Sequence, residues 1–526
     1  QPVRVCCAAA GMPIFSRSEV ARHNSAEDAW IIIDDKVYDV TKFLAMHPGG
    51  TGVMLPFLGQ DATEGFFGLH RTSVLTKWGP RLLVGELDQS GEAKTRTFPQ
   101  TQPGELSPIP YAESTSPFQT ESHKRFRLAV RAFVDKEVMP LVDADDVTST
   151  EGVPAELYLK MGKAGILPCI LGPGPHLTLG GYPLPGGLKP EDFDMFHWMV
   201  MAEELKRIGC YGYTDGISGG LAIGLPPVLN FGTPELIARI GPPVLRGEKR
   251  ICLAISDPFA GSDVSNIQCT ATKNPDGSYC VNGVKKWITN GMQADYFATA
   301  VITGERDGHG AGAMSMLLIE RACGGVTTKR IKTSYTAAAG TAYVIFDNAQ
   351  VPAGNLLGVE NKGWPIVMSN FNEERLGMAI GGNRLNRLVV EECVKWASQR
   401  QVFGKPLISQ PVIQEKIAHM IAQVESVQSW LELTVHEANV DHNATKQRLA
   451  GRIALIKLQQ TRVAHFVADN AVQIFGGRGL TRTGMGRVIE DFQRSYKFGA
   501  VLGGAEEIMA SLGVRQMLKD SPRARL

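Results

Sequence analysis

The stretch ICLAISDPFAGSDVSNIQCTATKNPDGSYCVNGVKKWITNGMQADYF, residues 251–297, decides the fold class. Its hydrophobic pattern changes from the helical period of about 3.6 residues to the strand period of about two in ICLAIS and SYCVNGVKKWIT. The strand pattern continues in YFATAVIT, MSMLLIE and TAYVIF, with turns such as Asn274–Gly277 between strands. Amphipathic helical patterns flank this part of the chain on both sides. Helices, a small sheet and helices again predict an α+β architecture.

Working outward, the pattern divides the chain into five segments. Residues 13–87 form a compact block with strand and helix patterns. Residues 88–117 are rich in Pro, Ser, Thr, Gln and Gly and lack periodicity, so we interpret them as a linker. We predict a helical domain at 118–249, a β domain at 250–358 and a second helical domain at 359–526.

The composition excludes several classes of protein. The 54 basic residues nearly balance the 53 acidic ones, which argues against a nucleic-acid-binding protein that works through bulk charge. The sequence lacks an apolar run long enough to predict a membrane span. Nine cysteines without a CxxC pair predict neither a disulfide framework nor a zinc site, and a reducing compartment is the simplest interpretation.

Two histidines stand out in the N-terminal block. His47 begins the sequence His-Pro-Gly-Gly, and His70 ends the segment GQDATEGFFGLH. Haem iron takes two axial ligands on opposite faces of its ring, so a chain that binds it must bring two imidazoles to a flat apolar slot. The turn at Pro48–Gly50 lets the backbone fold beside His47 without a side chain in the way. Apolar residues that can form the slot are Leu44, Leu55, Phe57, Leu58, Phe66, Phe67 and Leu69.

The motifs WIIIDDKVYDVTKFLAMHPGG and GQDATEGFFGLHR resemble the cytochrome b5 family across nearly the whole block. The resemblance implies that His47 and His70 are the axial ligands of haem b. Both axial positions of the iron would then be filled, so the block would transfer electrons and would not activate oxygen.

Three groups of motifs in residues 118–526 resemble the acyl-CoA dehydrogenase family in order and spacing. They are LAISDPFAGSDVSNIQCTA, then VNGVKKWITNGMQADYF, then the helical set FNEERLGMAIGGNRLNR, ASQRQVFGKPLISQPVIQEKIAHM and AVQIFGGRGLTRTGMGR. The resemblance implies an N-terminal helical domain, a middle β-barrel-like sheet domain and a C-terminal four-helix bundle. It also implies FAD as the cofactor.

By the same resemblance, Ile255 and Ser256 line the pyrimidine edge of the flavin, Trp287 packs against the ring and Thr289 reaches its N5 atom. The expected contacts to the dinucleotide part of FAD are Arg400, Phe403, Gln473, Gly476 and Gly477. In the family these contacts come from a neighbouring subunit, which implies a homodimer or homotetramer.

The catalytic base is the most informative departure from the family pattern. Most members carry it late in the chain, where this sequence has Gly503. The long-chain and isovaleryl types carry it in a Glu-Arg-Leu sequence on an earlier helix, and Glu374 matches that position. Without the resemblance, Glu374 would be a solvated carboxylate at a helix start. The resemblance further implies that Ser262, Arg375 and the Gly503 N–H lie near the substrate.

The implied activity is α,β-dehydrogenation of a fatty acyl-CoA to a trans-2-enoyl-CoA. The electron acceptor would be electron-transfer flavoprotein, another redox protein or oxygen. Two alternatives remain open at this stage: an acyl-CoA oxidase, or an AidB-like or otherwise divergent flavoprotein without dehydrogenase activity.

The final residues, Ala524-Arg525-Leu526, fit the pattern of a peroxisomal import signal. A peroxisomal location is therefore expected, with mitochondrion or cytosol as the alternatives.

Overall fold

The computed structural model describes residues 12–67, 69–70, 72–88, 116–144, 151–305, 313–441 and 448–520. Most of the predicted linker, 88–117, and the C-terminal tripeptide lie outside these residues. The described residues group into two compact units. The first is drawn from Gln1–Gln100, Glu392–Lys416 and Ile474–Arg487, and the second from Thr101–Glu391, Ile417–Gln473 and Val488–Leu526.

The N-terminal block combines a small sheet with short helices. Its sheet has one parallel pair at an edge and is otherwise antiparallel. Asp34 and Asp35 have φ values of 52° and 59°, as a tight type I′ hairpin requires. Ile31, Ile33 and Tyr38 contribute to its buried core. The elements are β1 (Ile14–Phe15), α1 (Arg17–Val20), β2 (Trp30–Ile33), β3 (Lys36–Asp39), α2 (Thr63–Phe67), α3 (Thr72–Leu82) and β4 (Leu83–Leu87), with strand order β1-β4-β3-β2.

The first helical domain follows. It contains α4 (Glu121–Phe133), α5 (Met139–Ala144), α6 (Ala155–Lys163), α7 (Ile166–Cys169), α8 (Met195–Lys206), α9 (Tyr211–Thr214), α10 (Gly220–Gly224), α11 (Pro226–Phe231) and α12 (Pro234–Leu245). A π-helical turn, Asp215–Gly219, joins α9 to α10. Helix α8 begins at Met195 because the Asp194 side chain accepts hydrogen bonds from the N–H groups of Phe196 and His197.

A buried ion network fixes α8 against α4. Arg127 lies 2.7 Å from Glu203 and 3.0 Å from Glu204, and Arg131 lies 2.8 Å from Glu204. Burial pushes the pKa of Glu204 up, but the two arginines outweigh it and lower the pKa to about 2. Removal of one partner would leave buried charge uncompensated, so the network holds α8 in one position.

The β domain is a single sheet. It contains β5 (Ile251–Ala254), β6 (Thr270–Lys273), β7 (Tyr279–Ile288), β8 (Tyr296–Ile302), β9 (Met314–Glu320), β10 (Val326–Arg330), β11 (Ala342–Val351) and β12 (Leu356–Leu357). The order is β10-β11-β7-β6-β8-β9-β12, and β5 runs parallel to β8. Strands β6 and β10 were not predicted, because TATK and VTTKR are short and polar; their antiparallel partners β7 and β11 hold them in the sheet.

The second helical domain contains four long helices. Its elements are α13 (Gly363–Ser369), α14 (Phe371–Gln399), β13 (Gln401–Val402), β14 (Lys405–Pro406), α15 (Pro411–Val440), α16 (Ala450–Phe475), α17 (Arg487–Ser495), α18 (Lys497–Val501) and α19 (Glu506–Asp520). The predicted α+β class is confirmed. Within the described part of the chain, we find no helix with the length and apolar character needed to cross a membrane.

Candidate functional site

A pocket opens within the second unit, between α8, the turn Asp215–Gly219, α14 and α18. Most of its lining is apolar, which suits a hydrocarbon chain. Apolar side chains that line it include Ile170, Trp198, Met201, Leu205, Ile223 and Met378.

Glu374 lines this pocket from the first turn of α14. The Asn370 side-chain amide donates a hydrogen bond of 2.8 Å to Oε1 of Glu374. Burial raises the pKa of Glu374 to about 7, although Asn370 and the neighbouring Arg375 oppose the shift. A carboxyl group in a cleft that titrates near neutral pH has the properties of a general base.

Gly503 follows α18 with a φ of 64°, a conformation that favours glycine. A Cβ atom at this position would lie 2.7 Å from the Met378 sulfur. The Arg375 guanidinium donates a hydrogen bond of 3.0 Å to the Gly503 carbonyl oxygen. Arg375 therefore ties the start of α14 to this loop and does not belong to the pocket lining.

Lys457 fixes the same loop, a role that sequence reasoning missed. Its side chain is buried in α16, and its ammonium donates hydrogen bonds to the carbonyl oxygens of Gly499 at 3.1 Å and Gly504 at 2.8 Å. Burial and the nearby Arg375 together lower the pKa of Lys457 to about 8, although Glu506 opposes the shift. Two cations thus hold three backbone carbonyl groups, those of Gly499, Gly503 and Gly504.

The predicted pyrimidine-edge residues, Ile255 and Ser256, lie directly after β5. The ammonium of Lys285 donates a 2.7 Å hydrogen bond to the Ile255 carbonyl, and the Lys286 N–H donates a 3.0 Å hydrogen bond to the Ser256 carbonyl. Lys285 is fully buried. Burial lowers its pKa, while Asp257 and a neighbouring thiol oppose the shift. Lys285 is a second positioning cation that the sequence did not single out.

Trp287 and Thr289 follow on β7 and the turn after it. Trp287 has a φ of 67° and is 51% exposed, so one face of its ring is open to a flat partner. The Lys286 ammonium lies 4.7 Å from the indole centroid. Thr289 is buried and lines the same pocket as Glu374.

The next residue, Asn290, holds this turn in place. It has a φ of 60°, and its Oδ1 accepts a 2.9 Å hydrogen bond from the Gly220 N–H. Its Nδ2 donates to the carbonyl oxygens of Asp215 and Ala339, at 3.1 Å and 2.9 Å. One side chain therefore joins three separate segments beside Thr289.

Ser262 lies on the exposed segment Gly261–Asp263, outside the pocket lining. The structure therefore brings Glu374 and Thr289 to one pocket and leaves Ser262 outside it.

The expected dinucleotide contacts fall in different units, with Gln473 in the second and the others in the first. In the first unit, the Trp396 ring stacks on Phe475 with centroids 5.3 Å apart, which packs the ends of α14 and α16 together. Arg400 follows α14, and Gly476 and Gly477 are exposed after α16. At the tip between β13 and β14, Phe403 is 94% exposed.

In the N-terminal block, the rings of His47 and His70 lie opposite each other in an edge-to-face arrangement, with centroids 5.8 Å apart and planes inclined by 67°. Nδ1 of His70 lies 3.1 Å from the Phe66 carbonyl oxygen, which fits a tautomer that donates from Nδ1 and keeps Nε2 for a metal. A Cβ on Gly49 would lie 3.0 Å from Cε1 of His47, so the glycine allows the close turn.

Aromatic rings lie against both imidazoles: Phe66 stacks on His70 with centroids 4.8 Å apart, and the Phe43 centroid lies 6.0 Å from that of His47. Leu44 and Leu58 are buried, whereas Leu55 and Leu69 are 50% and 43% exposed. Two facing imidazoles with exposed apolar neighbours fit a planar apolar ring that carries a metal.

Comparisons with known proteins agree with this geometry. Three consecutive family profiles match: Acyl-CoA dehydrogenase, N-terminal domain, at residues 120–248; middle domain, at 252–349; and C-terminal domain, at 361–518. Acyl-CoA dehydrogenase apdG from Emericella nidulans is 36% identical over 427 residues, which cover 79% of this chain and 96% of the relative. The chain belongs to the acyl-CoA dehydrogenase family.

Solved acyl-CoA dehydrogenases share the fold. The one from Geobacillus kaustophilus has a TM-score of 0.68 and 30% identity, over 77% of this chain and all of its own. The one from Bacillus anthracis, complexed with FAD, has a TM-score of 0.66 and 26% identity, over 77% of this chain and 68% of its own. Residues 16–88 also match the Cytochrome b5-like Heme/Steroid binding domain.

The family makes the chain an FAD-dependent oxidoreductase, and its cytochrome b5-like domain implies haem binding. The residues fit FAD: Trp287 offers an exposed aromatic face, the end of β5 is fixed by Lys285, and Thr289 stands in the pocket with Glu374. Members of the family act on acyl-CoA and pass electrons to electron-transfer flavoprotein.

Proposed function

We propose that this acyl-CoA dehydrogenase oxidises a fatty acyl-CoA to the trans-2-enoyl-CoA, with Glu374 as the base that takes the α-proton. Glu374 itself is the observation that carries the proposal. It lines a mostly apolar pocket, and burial places its pKa near neutral pH. A carboxylate of raised pKa suits abstraction of a proton from the carbon beside a thioester.

The residues around Glu374 orient the base and bind the thioester oxygen of the substrate. The Asn370 amide binds Oε1 of Glu374, which leaves Oε2 to take the proton. The Gly503 N–H binds the thioester oxygen, because a backbone donor needs no side chain. Arg375 and Lys457 hold carbonyl groups of that loop and so fix the direction of the N–H. FAD, when it is bound here, would supply the acceptor for the hydride that leaves the β-carbon.

Ile255, Ser256, Trp287 and Thr289 hold the flavin ring in this proposal. Its support is the fixed backbone after β5 and the open face of Trp287. Ser262 remains proposed as a residue near the thioester end of the substrate, on the strength of the sequence resemblance.

The N-terminal block transfers electrons through haem b bound by His47 and His70. The facing imidazoles and the exposed apolar residues beside them support this role. A second redox centre on the same chain gives the electrons a route other than electron-transfer flavoprotein.

Arg400, Phe403, Gln473, Gly476 and Gly477 bind the dinucleotide part of FAD in a neighbouring copy, within a homodimer or homotetramer. Phe403 supports this part of the proposal, because an aromatic side chain that is 94% exposed at a hairpin tip is suited to a partner surface. Gel filtration of the FAD-loaded chain tests it: a stable FAD-loaded monomer would contradict it.

The protein works in the peroxisome, by the pattern of Ala524–Leu526. A fluorescent protein fused to the N-terminus leaves the tail available to an import receptor. Peroxisomal fluorescence that is lost on deletion of Leu526 supports this location, and mitochondrial or diffuse fluorescence contradicts it.

Anaerobic mixing of the FAD-loaded protein with acyl-CoA tests the activity. Decanoyl-CoA should bleach the flavin absorbance in a single turnover and yield the trans-2-enoyl product. Failure of every saturated thioester from butyryl-CoA to palmitoyl-CoA would contradict the proposal. Rapid reoxidation in air with one hydrogen peroxide per turnover would instead indicate an acyl-CoA oxidase.

A further inference from the structure

An ion pair lines the acyl pocket, although a plain hydrocarbon chain could make no polar interaction with it. Lys206 at the end of α8 and Asp215 in the π-helical turn both line the pocket. Nζ of Lys206 lies 3.8 Å from Oδ1 of Asp215, and the two side chains are 15% and 12% exposed. Burial lowers the pKa of Lys206 and raises that of Asp215, and each charge opposes the shift of the other. Placing two charges in an apolar site is costly unless they have other partners.

Gln460 of α16 adds an unused donor to the same pocket. It is 3% exposed and lines the pocket, and its Nε2 has no hydrogen-bond partner within the described parts of the chain. A buried amide donor without an acceptor is destabilising, because the group has given up its hydrogen bond to water and received none in return. Such a donor points to a ligand that supplies the acceptor.

The position of these groups along α14 gives their distance from the reacting carbon. Glu374, Gly377, Met378 and Gly381 lie at helical spacing on one face of α14 and all line the pocket. Gly381 contacts the Lys206 side chain, since a Cβ there would lie 2.8 Å from it. Seven residues of helix separate the level of Glu374 from that of Lys206, which is about 11 Å.

Gln460 lies at the same level. A Cβ on Gly382, the residue after Gly381, would lie 2.5 Å from the Gln460 amide. The side chain of Lys206 and the amide of Gln460 thus reach the pocket beside two adjacent positions of α14, about two helical turns from the base.

We propose that the acyl substrate carries a neutral oxygen, as a hydroxyl or keto group, about eight carbon–carbon bonds of roughly 1.5 Å beyond the α-carbon. Lys206 and Gln460 donate hydrogen bonds to this oxygen. A neutral group fits better than a carboxylate, because Asp215 already balances the charge of Lys206. The inference rests on the proposed function and names its substrate class.

The test compares three thioesters on the FAD-loaded wild type: decanoyl-CoA, ω-hydroxydecanoyl-CoA and the dicarboxylic decanedioyl-CoA. We expect kcat/KM to be about tenfold to a hundredfold higher for the hydroxylated chain than for the plain one. Equal values, or preference for the plain chain, would overturn the proposal. A higher kcat/KM for decanedioyl-CoA than for ω-hydroxydecanoyl-CoA would overturn the proposal that the recognised oxygen is neutral.

Gln460→Met removes the donor and keeps the length of the side chain. The ratio of kcat/KM for the hydroxylated chain to that for the plain chain should fall by about tenfold. Gln459→Met is the matched control, because Gln459 is the preceding residue of α16 and is exposed; its ratio should equal that of the wild type. An unchanged ratio in Gln460→Met would exclude Gln460 from recognition.

Failure of the proposed function can be told apart from failure of this inference. If decanoyl-CoA reduces the flavin but shows no disadvantage, only the inference fails. If no thioester reduces the flavin, the proposed function fails, and calorimetric affinities of the wild type for the two monocarboxylic thioesters decide the inference. Tighter binding of the hydroxylated chain then supports it, and equal binding overturns it.

Discussion

The haem block and the acyl pocket reach their geometry in different ways. In the block, His47 and His70 come from one short stretch, and local turns bring their rings within 5.8 Å of each other. The pocket instead gathers residues from Ile170 to Leu502, across six separate parts of the chain. Buried cations that donate to backbone carbonyls fix two of its neighbouring segments, Lys285 the segment after β5 that is expected to contact the flavin and Lys457 the loop at Gly503.

The comparison teaches that a contiguous motif carries its own geometry, whereas an assembled site depends on residues that never touch the substrate. A change in the block should therefore have local consequences. A substitution of Lys285 or Lys457 should instead alter the position of the loops that these cations hold, and so affect the pocket from a distance.

The largest effect is expected from His47→Ala or His70→Ala. Each variant should lose the low-spin haem spectrum completely, because six-coordinate iron needs both imidazoles. Visible spectra of the haem-loaded protein measure this loss, and anaerobic flavin reduction by acyl-CoA should stay close to the wild-type rate. A wild type without a Soret band after haem supplementation would show that the block does not bind haem.

Glu374→Gln should lower the rate of flavin reduction by about two to four orders of magnitude, since the amide keeps the size but cannot take the proton. Stopped-flow absorbance of the flavin measures the rate. Glu373→Gln is the neighbouring control and should have a mild effect. Reduction at the wild-type rate in Glu374→Gln would remove this residue from the mechanism.

The pH profile follows from the same residue. Burial raises the pKa of Glu374 to about 7, and only the deprotonated carboxylate can accept the proton. We expect kcat/KM to fall about tenfold for each pH unit below 7 and to level off above it. A Glu374→Asp variant should keep a profile of this sign. A flat profile between pH 5 and 8 would contradict the assignment, provided that the protein remains folded.

The smallest effect is expected from Lys457→Met. The carbonyl groups of Gly499 and Gly504 would lose their donor, which should cost about 1–3 kcal/mol of stability. Thermal unfolding of the FAD-loaded protein measures this cost, with the exposed Lys519→Met as control. A higher KM for acyl-CoA should accompany the loss if the loop positions the thioester. If the variant unfolds at the wild-type temperature, the hydrogen bonds from Lys457 do not contribute to the stability of this loop.

Much of the fold was visible in the sequence, because hydrophobic period and turn residues act locally. MSMLLIE corresponds residue for residue to β9, and the predicted turn at Asn274–Gly277 lies between β6 and β7. Strands β6 and β10 could not be predicted from TATK and VTTKR, because pairing with distant strands, and not local preference, makes them strands.

The site was only partly visible. Glu374 could be proposed because a motif marks its position. Lys285 and Lys457 could not, because their partners are carbonyl groups far away in sequence, at Ile255 and Gly499. In the sequence, Lys457 stands out only because it lies among the apolar residues of RIALIKLQQ, which is unusual for an exposed lysine. Lys206 and Asp215 could not be proposed either, because only the folded chain shows that both line the same cavity.

The backbone at Gly503 also restricts where the base can be placed. Gly503→Glu would place a carboxylate at the position where the sequence resemblance expects the base of most members, yet the left-handed φ of 64° disfavours any side chain there. The new Cβ would also lie 2.7 Å from the Met378 sulfur. A carboxylate introduced at Gly503 would therefore have to displace Met378 and strain the backbone. One substitution at this position does not let it take over the role proposed for Glu374.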